Sequence, residues 1–346
     1  MKRHIYKLPN GDFQLGDYPN RRDPDGLNWV WVITHHCVMG CPYCIGWKSK
    51  TSVPTLIDKM GGISKVVDGF KKVRDKYHKN IYITISGGEP TLVKQIGPLI
   101  VALNKENIQV ELHTNLTNSR FASSIDKVDP DMLGQVTATY HGWRLDKDKK
   151  AQDLYMKNFS YGWRRGYTMI LKTVVCPWEV GGYEDKIKRL KKMIPAGSPV
   201  LTWPFIRGKP GSIKDHRGAY PQAYTVKHRR VLRKINKYRA EEQRMYANGA
   251  GFFHGMQCDA GNSFLFMDID GNVSRCYGLR GRRLGNLKEG NIRLTNGPTP
   301  CPAKYCGTPF WGLWYGFNPW DYVPASNKEV AYYSRFGPKF EIGEGC

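Results

Sequence analysis

Six short runs of apolar and β-branched residues recur between residues 29 and 206, and helical patterns fall between them. The runs are 29–34 (WVWVIT), 81–86 (IYITIS), 108–113 (IQVELH), 135–140 (QVTATY), 168–175 (TMILKTVV) and 199–205 (PVLTWPF). Helices are predicted at 54–77, 91–106, 119–126, 151–160 and 182–194, the second starting just after Pro90. Strands that alternate with helices build a parallel sheet covered by helices. Six such units are too few to close an eight-stranded barrel. The pattern therefore predicts an α/β fold: a partial, open (β/α)6 barrel with its chemistry at the C-terminal ends of the strands.

Around this barrel the composition divides the chain. Residues 1–28 are turn-rich (Pro9-Asn10-Gly11, Asp23-Pro24-Asp25-Gly26) and read as an N-terminal arm. Residues 29–206 form the barrel, and 207–253 read as a basic helical connection. From 254 to 346 Cys, Gly and aromatic residues dominate, which predicts a small cysteine-rich domain. No apolar run reaches the roughly 20 residues of a membrane span. The basic start, Met-Lys-Arg-His-Ile-Tyr-Lys, has no apolar stretch behind it, so a cytoplasmic location without membrane contact is expected.

Nine cysteines without an export signal, some spaced CxxxC and CxxC, favour metal ligation over disulfides. Cys37-Val-Met-Gly-Cys41-Pro-Tyr-Cys44 follows the first strand in a loop. Thiolates at this spacing suit zinc, with His35 or His36 as a fourth ligand, or an iron–sulfur cluster. On a four-iron cube, three thiolates leave one iron open, and an open position marks a catalytic metal. Cys258, Cys276, Cys301 and Cys306 form a second group around a hairpin turn at Asp270-Gly271-Asn272, which would bring Cys258 toward Cys276.

Two motifs carry a family resemblance. The first cysteine group has the form CxxxCxxC with an aromatic residue, Tyr43, before the last cysteine, and Gly87-Gly88-Glu89-Pro90 follows the second strand. In both, the sequence resembles the radical S-adenosylmethionine (SAM) superfamily. The resemblance implies a radical SAM barrel with a [4Fe–4S] cluster on Cys37, Cys41 and Cys44 that binds SAM. Reductive cleavage to a 5′-deoxyadenosyl radical would follow, with electrons from a flavodoxin or ferredoxin and hydrogen abstraction from the substrate. Glu89 would accept a bond from the ammonium of SAM, and Gly87 and Gly88, with Pro90, would bring backbone close to its methionine part. Tyr43 would lie beside adenine. Asn115 and Thr139, with Thr137 and Lys172 behind them, would serve the ribose and carboxylate, and His141 would face the substrate or act structurally.

The second group looks like the SPASM/twitch extension of the same superfamily. The resemblance implies an auxiliary [4Fe–4S] cluster on Cys258, Cys276, Cys301 and Cys306, in the shorter twitch form. The Cx4C spacing of the last pair departs from the commoner CxxC, so Cys346 is an alternative ligand, and a zinc site is the alternative to a cluster.

The charge bears on the substrate. The net +23 is uneven: residues 141–250 carry +16, and 207–239 hold eleven Lys or Arg against one acid, Asp215. Concentrated positive charge points to a polyanion. The main expectation is therefore modification of a nucleic acid base, in DNA or tRNA, with Arg229, Arg230, Arg233 and Lys234 on phosphates and the aromatics of 310–320 stacking a base. The alternatives are side-chain modification of a peptide or protein, as in ribosomally made peptide natural products, and radical chemistry on a small metabolite.

Overall fold

The eight-residue strand Leu27–Thr34 sets Leu27, Trp29, Trp31 and Ile33 on one face and Val30 and Val32 on the other, nearly all buried, and the chain builds the rest of the fold around it. The structure, a computed structural model, describes residues 5–7, 13–15, 26–41, 44, 53–205, 225–235, 257–279 and 281–302. The first two segments pair as a small antiparallel ribbon, β1 (Ile5–Lys7) with β2 (Phe13–Leu15). Then come β3 (Leu27–Thr34), β4 (Ile81–Gly87), β5 (Gln109–Thr114), β6 (Leu133–Tyr140), β7 (Met169–Val175) and β8 (Val200–Pro204). These six lie side by side in chain order, all parallel, as the six-unit pattern predicts.

Helices cover one face of this sheet. In α2 (Ile63–Tyr77), Val66, Val67, Phe70 and Val73 recur at helical spacing and are buried. Phe70 meets Trp29 edge-on at 5.3 Å between ring centroids and Trp31 at 5.9 Å. One predicted helix, 54–77, is two: α1 (Leu56–Met60) and α2. A capping box between Thr55 and Asp58 starts α1, and Gly61 and Gly62, both at positive φ, end it. The predicted helix at 91–106 is also shorter. Pro90–Leu92 forms a 3-10 turn, and α3 runs from Ile96 to Lys105. Next follow α4 (Phe121–Ile125), α5 (Gly142–Leu145), α6 (Lys149–Arg164, capped by Asp148) and α7 (Tyr183–Met193).

The C-terminal segment departs from the expected separate domain. Its strand β10 (Phe264–Met267) pairs parallel with β3, on the edge that the barrel order leaves open. Then β11 (Asn272–Ser274) and β12 (Arg283–Asn286) continue outward antiparallel, giving one nine-stranded sheet. Leu265, Met267, Val273, Leu287 and Ile292 belong to the same apolar core as Trp29, Phe70 and Leu112. The hairpin tip rests on the first helices: Lys59 pairs with Asp270, and a Cβ on Gly271 would lie 2.9 Å from Leu56. Tyr77 and Lys76 donate to the Ile292 carbonyl at 2.8 and 2.7 Å. A short ladder pairs β9 (Gln257–Cys258) with β13 (Thr299–Pro300).

Part of the basic connection is described, as α8 (Val226–Ile235), which packs against α7 and the turn after β7 through Val231. It carries Arg229, Arg230, Arg233 and Lys234, and Arg230 is exposed. No helix among the described residues is long and apolar enough to cross a membrane.

Candidate functional site

The loop after β3 carries Cys37, Cys41 and Cys44, and three neighbouring strand ends hold it. From the end of β4, Gly88 N–H donates to Thr34 O at 2.7 Å and Glu89 N–H to His36 O at 2.8 Å. A Cβ on Gly88 would stand 2.2 Å from His36 O, and one on Gly87 2.4 Å from Thr34 O, while Gly87 sits at φ +135. Only glycine permits both approaches. The close approach of Gly87 and Gly88 in this structure is to the cysteine loop.

From the end of β5, Thr117 Oγ1 donates to Met39 Sδ at 3.5 Å, and Asn115 Nδ2 to Cys37 Sγ at 3.7 Å. From the end of β6, His141 Nδ1 lies 3.4 Å from Cys41 Sγ, and Arg144 donates to Val38 O at 2.8 Å. Met39 is buried and anchors the loop in the core. Cys44 N–H donates to Cys41 O at 3.1 Å, folding the last two cysteines back on each other.

The three thiols lie near enough to feel one another's charge. Burial pushes Cys41 up to about 12, and the Cys44 and Cys37 thiols add to the rise while the Trp143 side chain opposes it. Cys37 also rises, mainly through burial, against a bond from the Met39 backbone. Thiols ligate iron only as thiolates, so a cation must supply what burial withholds. Three soft donors on one pinned loop fit a [4Fe–4S] cube with one free corner. No three His, Cys, Asp or Glu side chains among the described residues converge as a single ion requires.

Glu89 lies at the junction of β4 and β5. Its side chain is wholly buried. Oε1 accepts from Thr91 N–H at 3.1 Å, Thr91 Oγ1 at 2.6 Å and Thr114 Oγ1 at 2.6 Å, and Oε2 accepts from Asn115 N–H at 2.7 Å. Burial pushes its pKa up and these four donors hold it down. Through these bonds the carboxylate ties β4 to β5 and Asn115. Pro90 is buried beside it and starts the 3-10 turn.

Below the loop, the sheet face away from the helices is polar. Thr84 donates to Glu111 at 3.2 Å, and the register sets His113 beside Thr137 and Thr139 beside Lys172. His141 is partly buried near Lys172, and desolvation together with that charge lowers it to about 4. The structure therefore gathers Cys37, Cys41, Cys44, Asn115, Thr139 and Lys172 at one end of the barrel. Tyr43 lies outside the described residues. Sequence reasoning missed Thr84, Glu111, Thr91, Thr114 and Arg144. Glu111 and Thr84 had a signal, since they break apolar strands on alternate residues; Arg144 had none.

A second cysteine group gathers at the C-terminal strands. The β9–β13 ladder sets Thr299 opposite Cys258, two residues before Cys301. Cys276 follows the end of β11. Burial pushes Cys258 up to about 11, with Cys301 and Cys276 adding to the rise. Cys306, Cys346 and the aromatics of 310–320 lie outside the described residues.

Residues 31–134 match the radical SAM superfamily. No curated protein sequence matches the chain. Among solved structures, SuiB of Streptococcus suis bound to S-adenosylmethionine is similar at a TM-score of 0.55 and 14% identity, over 76% of this chain and 64% of that one. SuiB bound to precursor peptide SuiA is similar at 0.52 and 11%, over 87% of this chain and 67% of that one. An anSMEcpe structure with bound AdoMet and Kp18Cys peptide is similar at 0.52 and 18%, over 76% and 78%. At these identities the likeness is one of fold, and the chain spans about two thirds of SuiB.

Proposed function

We propose that this radical SAM enzyme modifies a peptide or protein side chain, with Cys37, Cys41 and Cys44 holding the [4Fe–4S] cluster that the superfamily uses with SAM. The observation that supports the peptide reading is the reach of the fold likeness, 87% of this chain, in a SuiB structure that holds its precursor peptide. The cluster and SAM, when bound, supply the radical that removes hydrogen from the substrate. This chain's residues position that chemistry. Gly87 and Gly88 fix the height of the cysteine loop over the sheet end, and Glu89 fixes Asn115 beneath Cys37. Thr137, Thr139, Lys172, Glu111 and His113 line the polar face on which a substrate would lie. Cys258, Cys276 and Cys301, with Cys306 or Cys346, would hold an auxiliary cluster in a twitch-like extension.

A second reading, action on a nucleic acid base, rests on the +16 of residues 141–250. That charge also fits an acidic peptide, because complementary fields attract either polyanion. Anaerobic incubation with SAM, dithionite and one of three probes separates them: a pool of acidic peptides, duplex DNA, or tRNA. The peptide pool should raise 5′-deoxyadenosine yield and gain or lose mass on a side chain. Stimulation by DNA or tRNA alone would replace the peptide reading with the nucleic acid one.

A further inference from the structure

Arg275 follows the hairpin strand β11 directly and immediately precedes Cys276. Its guanidinium is buried, with the residue 9% exposed, and it donates to three carbonyls on two other segments. Nε donates to Ala260 O at 2.7 Å, Nη2 to Thr299 O at 3.2 Å and Nη1 to Pro300 O at 3.4 Å. Ala260 is two residues after Cys258, and Pro300 is one before Cys301. One side chain thus joins the three backbone segments that carry Cys258, Cys276 and Cys301. The neighbouring Gly261, at φ +103, makes room for the stem: a Cβ there would lie 2.8 Å from Arg275 Cγ.

Charge gives a second, independent observation. Among the described residues Arg275 makes no ion pair; its partners are neutral carbonyls. A buried cation without an anion is costly, and proteins pair such charges or ligate them to something negative. As cluster ligands, the Cys258, Cys276 and Cys301 thiolates on the segments that Arg275 joins would supply that negative charge. Thiolate-held iron–sulfur clusters carry net negative charge, and charges and donors around them set their potentials.

We infer that Arg275 is a positioning residue for the auxiliary cluster, holding its cysteine segments in register and supplying the buried positive charge that balances it. The inference rests on the auxiliary-cluster reading above. The fork geometry and the charge are separable by substitution. Arg275→Lys keeps the charge and loses the three-way fork; Arg275→Gln loses both.

The test uses the full chain, reconstituted anaerobically, with iron content, chelator resistance and an EPR-monitored redox titration as readouts. SAM perturbs the signal of the Cys37/Cys41/Cys44 cluster alone, so the two clusters are told apart. The parent should hold about eight irons. Both variants should lose the auxiliary cluster at roughly 10-fold lower chelator concentration, the low end for outer-shell changes. In Arg275→Gln the auxiliary midpoint should also move to more negative potential, because a nearby positive charge favours the reduced, more negative cluster. In Arg275→Lys the midpoint should stay at the parent value. Parent-like chelator resistance in Arg275→Lys would overturn the inference, even if Arg275→Gln fails to fold. An Arg275→Gln protein with the parent midpoint would overturn it too. A separate outcome sinks the underlying reading: a parent with only about four irons, all lost when Cys37, Cys41 and Cys44 are alanine but retained when Cys258 and Cys276 are.

Discussion

At the residue scale, Glu89 shows how one side chain reads differently in a motif and in a fold. As part of Gly-Gly-Glu-Pro it reads as a ligand contact. In the structure it is the buried acceptor of four hydrogen bonds that join the ends of β4 and β5. Glu89→Gln keeps the volume but places an NH2 where an acceptor is needed, leaving at least one buried donor unpaired. The apoprotein, without cluster or SAM, should lose about 1–3 kcal/mol in denaturant unfolding. A carboxylate serving only SAM would leave apoprotein stability untouched, so an unchanged midpoint would return Glu89 to the ligand role. The proposed ligands Cys37, Cys41 and Cys44 stand out in the sequence because such a role depends on spacing along a single loop. The residues that hold this loop, Thr117 and Arg144, do not, because they come from strand ends brought beside it only by the parallel order of the sheet.

At the element scale, the six barrel strands were legible to within two residues, because each is an apolar, β-branched run and most are closed by Gly, Asn or Pro. Two helices were overextended. Gly61-Gly62 sits inside one helical pattern and Pro90 directly before the other, and backbone preference there outweighs side-chain periodicity. The hairpin was read correctly as Asp270-Gly271-Asn272 between two strands, but its place was not. Nothing in Phe264–Met267 says which edge it will join. Its burial on β3 predicts that the expected boundary near 254 is not a physical one. A chain ending at residue 253 would bare the β3 edge and leave the face beneath Leu265 and Met267 open, inviting edge-to-edge association. It should come out as aggregate or lack the parent's cooperative thermal transition. A monomeric, cooperatively melting fragment would mean that the barrel stands alone.

At the scale of the whole molecule, the uneven positive charge is open to two kinds of substrate, nucleic acid or acidic peptide, and ionic strength separates them. If the basic stretch tracks phosphates through 6–10 contacts, nucleic acid affinity should fall roughly 10³–10⁵-fold between 50 and 200 mM salt. Changing Arg229, Arg230, Arg233 and Lys234 to glutamine should then flatten the slope for all sequences alike. Under the peptide reading the parent should bind duplex DNA and tRNA weakly at physiological salt, with little slope, and fluorescence anisotropy titrations measure this directly. The sheet order has a consequence for how the protein is made. Asn28 and Ser263, joined by a hydrogen bond where β3 meets β10, are 235 residues apart. At a synthesis rate of about 5–20 residues per second, the first barrel strand leaves the ribosome roughly 10–50 s before its outer neighbour exists. Through that interval the strand that begins the barrel and leads into the Cys37 loop has one bare edge, so the nascent chain needs a holding chaperone, or slow pairing, before the metal loop has a finished sheet beneath it.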